Sequence, residues 1–486
     1  MKPILSFYIP VYKKPVDVFR KCLTHIFDSS LKEIEVICVF DGADENLWDV
    51  ANEFPKVRNL VIEHGGAPKA RNAGLALATG KYVVAWDADC YIKPNTAKRW
   101  IEEFEAVPDA DFVYTGYEMS GEAGEFSSES FSAYALESGN YISTMSPIKR
   151  EKAPQWDEGL AAAQDWDYWL TAVESGCKGA FIEGSGFVTD EIRTGISSVH
   201  WTQDNRDRTM LTVRHKHGIP DREIGVYTTN YREMGIKLAQ ILGADVIKPT
   251  GLTPTKYKMI VNLGYGFLSR FGGIADDVVK IQYWIPGEIE GLCAPEARYK
   301  TVVETVKIAK TVVNYCGTTY EANKLGELGI EAEVLPLPLA NEDMEKVSRS
   351  LPEKFTILLA TDKSYADLLK DISVDLPHIT FLHGSAKVAD FSCFVSFYQF
   401  AALDAAMLTA HVNGRHVISN VQAPYCGFVD PDQTWEKFKQ DLYEKIGEVS
   451  KLPLNTEAQT YYEGVAAPVP FRDKICGLLK KEMAVV

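Results

Sequence analysis

Short apolar runs alternate with helical patterns along the first part of the chain, and that alternation sets the fold class. Leu5 to Ile9 and Glu35 to Phe40 read as buried strands. Between them, Phe19, Cys22, Leu23 and Ile26 fall on one face of a helix. Asn59 to Glu63 and Tyr82 to Trp86 are further strands, and Ala70 to Ala78 is a helix stopped by Gly80. Strand–helix alternation with short links predicts an α/β fold, a mostly parallel sheet covered by helices. Such sheets bind ligands at the carboxyl ends of their strands. Pro10, Asp41 and Asp87 all fall at or just past such ends.

A second alternating region opens near Glu223. Its strands are Ile224 to Thr228, Met259 to Leu263, Val279 to Trp284, Thr311 to Tyr315 and Ala332 to Leu335. Its helices are Met234 to Leu242 and Glu321 to Leu328, the latter closed by Gly329. A third block follows Pro352, with strands at Phe355 to Ala360, Ile379 to Leu382, Phe391 to Val395 and Val417 to Ser419. Tyr365 to Lys370 and Ala401 to His411 read as its helices, and the polar, proline-bounded segment Leu337 to Glu353 as the junction between the two blocks. The expected domains are 1–220, 221–350 and 351–486. A chain of 486 residues is too long for one hydrophobic core, which agrees with that division.

Charge and cysteine usage narrow the classes. A formal net charge of −16 disfavours bulk nucleic-acid binding. A locally basic stretch, Arg193, Arg206, Arg208, Arg214 and Lys216, is the exception, and a solvated linker explains it equally well. Nine scattered cysteines without a Cys-x-x-Cys pair imply reduced thiols and a cytoplasmic setting, with no zinc site. The chain shows no signal-peptide pattern at Met1-Lys2-Pro3. Its most apolar long window, Phe391 to Val412, is interrupted by Gln399 and Asp404 and reads as core, not as a membrane span.

The sharpest chemical signal is Trp86-Asp87-Ala88-Asp89. An Asp-x-Asp at a strand end turns two hard oxygen ligands to one side, a set suited to Mg²⁺ or Mn²⁺ carrying phosphates. Three further blocks precede it: Phe7-Tyr8-Ile9-Pro10-Val11-Tyr12, Val39-Phe40-Asp41-Gly42-Ala43 and Gly66-Ala67-Pro68-Lys69-Ala70-Arg71-Asn72-Ala73-Gly74. A fifth follows, Gln164-Asp165-Trp166-Asp167-Tyr168-Trp169-Leu170, a helix start whose core face is Trp166, Trp169, Leu170 and Val173.

Taken in order, these blocks resemble the family 2 glycosyltransferases, which have the GT-A fold. The match covers about the first 220 residues. Lys13 stands where family members usually have Asn, and Asp41-Gly42-Ala43 where they often have Asp-Asp-Gly-Ser. The resemblance implies a role for each block. Asp41 would accept a hydrogen bond from the donor's nucleobase, with Pro10 and Tyr12 shaping the base pocket. Arg71 would sit near the nucleotide or its phosphates. Asp89 would be the main metal ligand, and Asp87 would contact the ribose or a metal-bound water. Asp165 would be the catalytic base of an inverting displacement. The implied donor is a nucleotide-diphosphate sugar, most simply a UDP-sugar, and the implied cofactor Mn²⁺ or Mg²⁺; the acceptor is a glycan, a lipid-linked sugar or a modified nucleic acid. Arg193 to Ser198 resembles the loop beyond the Asp165 helix, and His200, His215 and His217 are either structural or candidates to complete a metal or phosphate site.

The second half resembles a compact GT-B glycosyltransferase with two Rossmann-like lobes, carried by Val313 to Leu339 and Phe394 to Asn420. It departs from that pattern where donor binding is expected. Gln399 and Asp404 stand near the usual glutamates, Arg415-His416 replaces small residues, and Lys363 is the sole candidate for the cationic clamp. A second transferase and a module for acceptor binding or assembly both remain open. Three alternatives stand for the whole chain: a nucleotidyltransferase, a non-catalytic sugar-nucleotide binding protein, and a phage-type enzyme that glycosylates modified DNA. The first wants an early Gly-rich loop that this chain lacks; the second would have lost Asp89 or Asp165; the third rests on the basic stretch.

Overall fold

A computed structural model of the chain describes residues 2–120, 124–126, 128–189, 203–228, 231–247, 257–285, 288–289, 292, 305–338, 351–361, 371–372, 374–377, 379–383, 390–397, 405–421, 423–431 and 433–483. The chain forms two compact units, Met1–Asp221 and Arg222–Val486.

The first unit is built on one nine-stranded sheet. Its strands are β1 (Leu5–Val11), β2 (Ile34–Asp41), β3 (Val57–Ile62), β4 (Tyr82–Ala85), β5 (Cys90–Ile92), β6 (Phe112–Met119), β7 (Glu125–Phe126), β8 (Ile148–Lys149) and β9 (Gly179–Thr189). They run in the order β3-β2-β1-β4-β8-β6-β9-β5, with β7 paired to β6. β1 is parallel to β2 and to β4, so the carboxyl ends of these three strands lie side by side. The sheet is mixed: its long pairings are parallel, as expected, and short antiparallel ones join them. β4 pairs antiparallel with β8, and β5 with β9.

Helices α1 (Val16–Asp28), α2 (Glu45–Asn52), α3 (Ala67–Leu77), α4 (Thr96–Ala106), α5 (Ala133–Ser138) and α6 (Gln164–Glu174) belong to the same unit. The predicted α1 face, Phe19, Cys22, Leu23 and Ile26, is fully buried. α3 begins three residues before the expected start. Gly66, at φ +91°, turns the chain into the helix, and Pro68 is tolerated in the first turn, where no intrahelical N–H is lost.

The second unit holds two sheets, both parallel throughout. The first contains β10 (Ile224–Thr228), β11 (Asp245–Ile247), β12 (Met259–Leu263), β13 (Val279–Tyr283), β14 (Val313–Cys316) and β15 (Glu333–Val334), in the order β11-β10-β12-β13-β14-β15. The second contains β16 (Thr356–Thr361), β17 (Thr380–His383), β18 (Cys393–Phe397), β19 (His416–Ser419) and β20 (Cys426–Phe428), in the order β17-β16-β18-β19-β20. Both sheets place the first strand between the second and third, the doubly wound arrangement. Three helices close the unit: Trp435–Val449, Thr456–Val465 and Pro468–Met483. The last returns to the first sheet, where Lys474 pairs with Glu333 and lies over the Tyr315 ring. The expected helix at Tyr365 to Lys370 and most of the expected junction at Leu337 to Glu353 lie outside the described residues, as do Lys363, Gln399 and Asp404. No helix among the described residues is long and apolar enough to cross a membrane.

Candidate active site

The carboxyl edge of β2, β1 and β4 collects the first four sequence blocks. Trp86 fixes the fourth. Its indole is buried against Phe7, Trp100 and Phe187, and its Nε1 donates to the Cys90 carbonyl at 3.0 Å. With the Cys90 N–H bonded to the Asp87 carbonyl at 3.1 Å, the segment from Asp87 to Asp89 is a tight turn that leaves both carboxylates partly exposed.

The potential ligand atoms of Asp87, Asp89 and Cys90 lie within 4.8 Å of one another, the one such group of three among the described residues. Burial pushes the Cys90 thiol well above its ordinary range, and the nearby Asp87 and Asp89 charges push it the same way. The two carboxylates are hard oxygen donors of the kind that suits Mg²⁺ or Mn²⁺.

Arg71 ties this turn to the fifth block. The helix that carries it packs tightly on β1 and β2, because a Cβ at Gly74 would come within 2.8 Å of Tyr8 Cβ and 3.3 Å of Val39. The Arg71 guanidinium is buried and lies 4.6 Å above the Trp156 ring. One nitrogen donates to Asp87 Oδ1 at 2.9 Å and another to Gln164 Oε1 at 3.0 Å. This rigid fork spans two acceptors that a lysine could not reach together. Asn72, the next residue, holds Trp156 by both backbone groups: its Nδ2 donates to the Trp156 carbonyl and its Oδ1 accepts from the Trp156 N–H.

Asp165 begins α6 beside Gln164. Its Oδ2 accepts from Asn140 Nδ2 at 2.8 Å, and its Oδ1 from the Trp166 N–H at 2.9 Å. Burial raises its pKa, although the Trp166 N–H, the Arg71 charge and Asn140 all pull the other way. The result is a stronger base than an exposed aspartate, held in one orientation.

Asp41, the expected nucleobase acceptor, ends β2. It is almost fully buried, and it accepts from Gly65 N–H at 2.7 Å, from Gly66 N–H at 2.9 Å and from His64 Nδ1 at 2.9 Å. A carboxylate has about four acceptor positions, so three of them are already used in organising the loop before α3. Tyr12 stands at the mouth, 42 % exposed, stacked on His64 with ring centroids 4.5 Å apart. Pro10 lies within β1, beside Val39 of β2. Lys13 sits at φ +46°, a conformation that Asn adopts more readily than most residues and Lys does not.

Four residues of this constellation escaped the sequence reading, His64, Asn140, Trp156 and Lys14, and Gln164 entered it only as part of the fifth block, without a role of its own. Lys14 pairs with Asp89. The candidate histidines lie elsewhere or outside the described residues. His217 is held by Asp167 and Glu174, and His215 faces Asp221. Two cations of the basic stretch are spent internally too, while Arg193 lies outside the described residues. Arg214 donates to the Pro220 carbonyl, and Lys216 pairs with Asp157 and Asp167.

Residues 6–170 match the family model described as Glycosyl transferase family 2. The chain is 29 % identical over 117 residues to the chondroitin synthase of Pasteurella multocida, covering 23 % of this chain and 12 % of that protein. It is 30 % identical over 122 residues to the glycosyltransferase GlyG of Streptococcus pneumoniae, covering 24 % of this chain and 40 % of the relative. It thus spans well under two thirds of the length of either. A crystal structure of Staphylococcus aureus TarS, residues 1–349 in complex with UDP-GlcNAc, aligns at 14 % identity and a TM-score of 0.39, over 63 % of this chain and 90 % of that one. The N-terminal unit of the chain carries a family 2 glycosyltransferase domain.

Proposed function

We propose that the family 2 glycosyltransferase domain in the N-terminal unit transfers a sugar from a nucleotide-diphosphate donor, a UDP-sugar in the first instance, to an acceptor hydroxyl, with inversion at the anomeric carbon. The observation that carries this reading is the bridge Asp87–Arg71–Gln164, which joins the Asp-x-Asp turn to the start of the Asp165 helix. In this reading, Asp89 and Asp87 hold a divalent ion. Such an ion, when bound, supplies positive charge against the diphosphate leaving group.

The other roles belong to the chain's own residues. Tyr12 and Pro10 line the base pocket, the Tyr12–His64 stack offers it an aromatic face, and the Asp41 carboxylate keeps one acceptor position for a single N–H of the base. Arg71 holds Asp87 in place and brings positive charge to the phosphate side of the site. Asp165 takes the proton from the acceptor hydroxyl as that oxygen attacks, and its raised pKa suits it to that work near neutral pH. Asn140 keeps the carboxylate aimed.

The second unit is proposed to be a GT-B-like module, from its two doubly wound parallel sheets. Its proposed role is acceptor binding or assembly; a second transferase site is the alternative. Turnover of a nucleotide sugar by the whole chain should vanish in EDTA and return on adding Mn²⁺ or Mg²⁺, and Asp89→Ala should lose it under both conditions. Full turnover in EDTA would contradict the reading.

A further inference from the structure

Both aspartates of the Asp-x-Asp turn are already neutralised by cations of the protein itself. Arg71 takes Asp87 Oδ1, and the Lys14 ammonium takes Asp89 Oδ2. The two cations differ in kind. Arg71 is buried and is also tied to Gln164 and to the Trp156 ring. Lys14 pairs with Asp89, keeps 24 % of its side chain exposed, and reaches the turn from the loop between β1 and α1. That loop is stiff. Lys13 is held at φ +46°, and Pro15 caps α1, so Lys14 sits between a left-handed residue and a proline that restricts it to extended conformations. The backbone thus aims the ammonium at Asp89, while the four-carbon stem leaves it free to swing.

We propose that Lys14 is a displaceable counter-ion that makes divalent-ion entry depend on a nucleotide diphosphate. In the free protein, an ion approaching Asp89 meets the Lys14 charge on the same carboxylate, in a partly desolvated site where like charges repel strongly. A diphosphate arriving with the ion offers the ammonium a new anionic partner, so Lys14 moves from Asp89 to a phosphate oxygen and the carboxylate is freed. The inference rests on the proposed ion site at Asp87 and Asp89 and adds a residue that the family motifs do not include. Lys14 is a positioning residue in this scheme, acting on the site by occupying Asp89.

Binding of Mn²⁺ to the nucleotide-free whole chain, followed by the electron paramagnetic resonance signal of the unbound ion, tests this without reference to activity. Lys14→Gln should bind Mn²⁺ about tenfold or more tightly than the wild type, the size expected for removing one like charge at short range. Lys14→Arg should keep the weak binding, and UDP, whose diphosphate supplies ligands of its own in both proteins, should enhance Mn²⁺ binding by a larger factor in the wild type than in Lys14→Gln. Unchanged or weaker Mn²⁺ binding in Lys14→Gln overturns the proposal. Asp89→Asn placed in the Lys14→Gln background separates this failure from failure of the ion site. If Asp89→Asn abolishes Mn²⁺ binding while Lys14→Gln has no effect, the ion site stands and the counter-ion role falls. If Asp89→Asn changes nothing, the ion site falls and takes this inference with it.

Discussion

The two units of this chain use similar α/β sheets for opposite ends. In the N-terminal unit, two carboxylates past a strand end stay partly exposed although each is paired with a cation of the protein. Asp87 and Asp89 face partly outward, and Lys14 is partly exposed. In the C-terminal unit, several buried polar side chains among the described residues, within the strands and in a helix, bond to one another and to the backbone. Asn262 donates to Gln282 Oε1 and to the Gly264 carbonyl, both at 2.6 Å. Trp284 Nε1 donates to Asn314 Oδ1, and the buried Glu321 carboxylate accepts the Gly317 N–H at 2.7 Å. A doubly wound sheet provides the edge where a ligand can bind, but the edge becomes a site only where its polar groups are not consumed by the backbone. Among the described residues of the C-terminal unit, no group of three metal-ligating side chains comes together.

The largest effect that would sharpen this contrast belongs to Asp165. Asp165→Asn keeps the shape and removes the proton acceptor, so turnover should fall about 10²-fold or more while donor affinity changes little. The pH dependence has a defined sign. Burial raises the carboxyl pKa in the folded state, so the acid limb of the rate profile should lie above the ordinary aspartate range. The same shift makes this group's contribution to stability fullest below its unfolded pKa and lost as the pH rises through its raised folded value. Asp165→Asn should flatten that part of the stability curve. Loss of donor affinity with turnover intact would reduce Asp165 to a helix-start residue.

A smaller effect should come from the other unit and read out differently. Glu321→Ala leaves the half-buried Gly317 N–H without its acceptor and should cost about 1 kcal/mol of stability. Thermal unfolding should register the loss, and turnover below the transition should not. A fall in turnover as large as that of Asp165→Asn would erase the distinction between the units.

Much of this was legible in the sequence, for local reasons. Continuous apolar runs such as Leu5 to Ile9 and Glu35 to Phe40 are strands buried on both faces, and the structure extends each by only one or two residues. The α1 face was visible from its spacing alone. The shorter strands were not. β11 is three residues long and β7 two, too short for any periodicity to register. The helix at Trp435–Val449 did leave a signal that went unread. Phe438, Leu442 and Ile446 repeat every four residues behind Thr434, whose side chain caps the first turn.

The site divides along the same line. Its motif residues could be read, but their partners could not, because those pairings cross long stretches of chain. Lys14 meets Asp89 across 75 residues, Arg71 meets Gln164 across 93, and Asn140 meets Asp165 across 25. Only His64 carried a local cue, as a polar aromatic directly before Gly65-Gly66.

Where the donor binds decides between the two units. Calorimetric titration of UDP in the presence of Mn²⁺, on the full-length chain and on the Asp87→Asn, Asp89→Asn double variant, measures it. If the N-terminal unit is the donor site, the wild type should show one binding event and the double variant should lose it, with its thermal unfolding intact. Undiminished UDP binding in the double variant would place the donor elsewhere in the chain and would leave the Asp87–Arg71–Gln164 bridge as part of the fold alone.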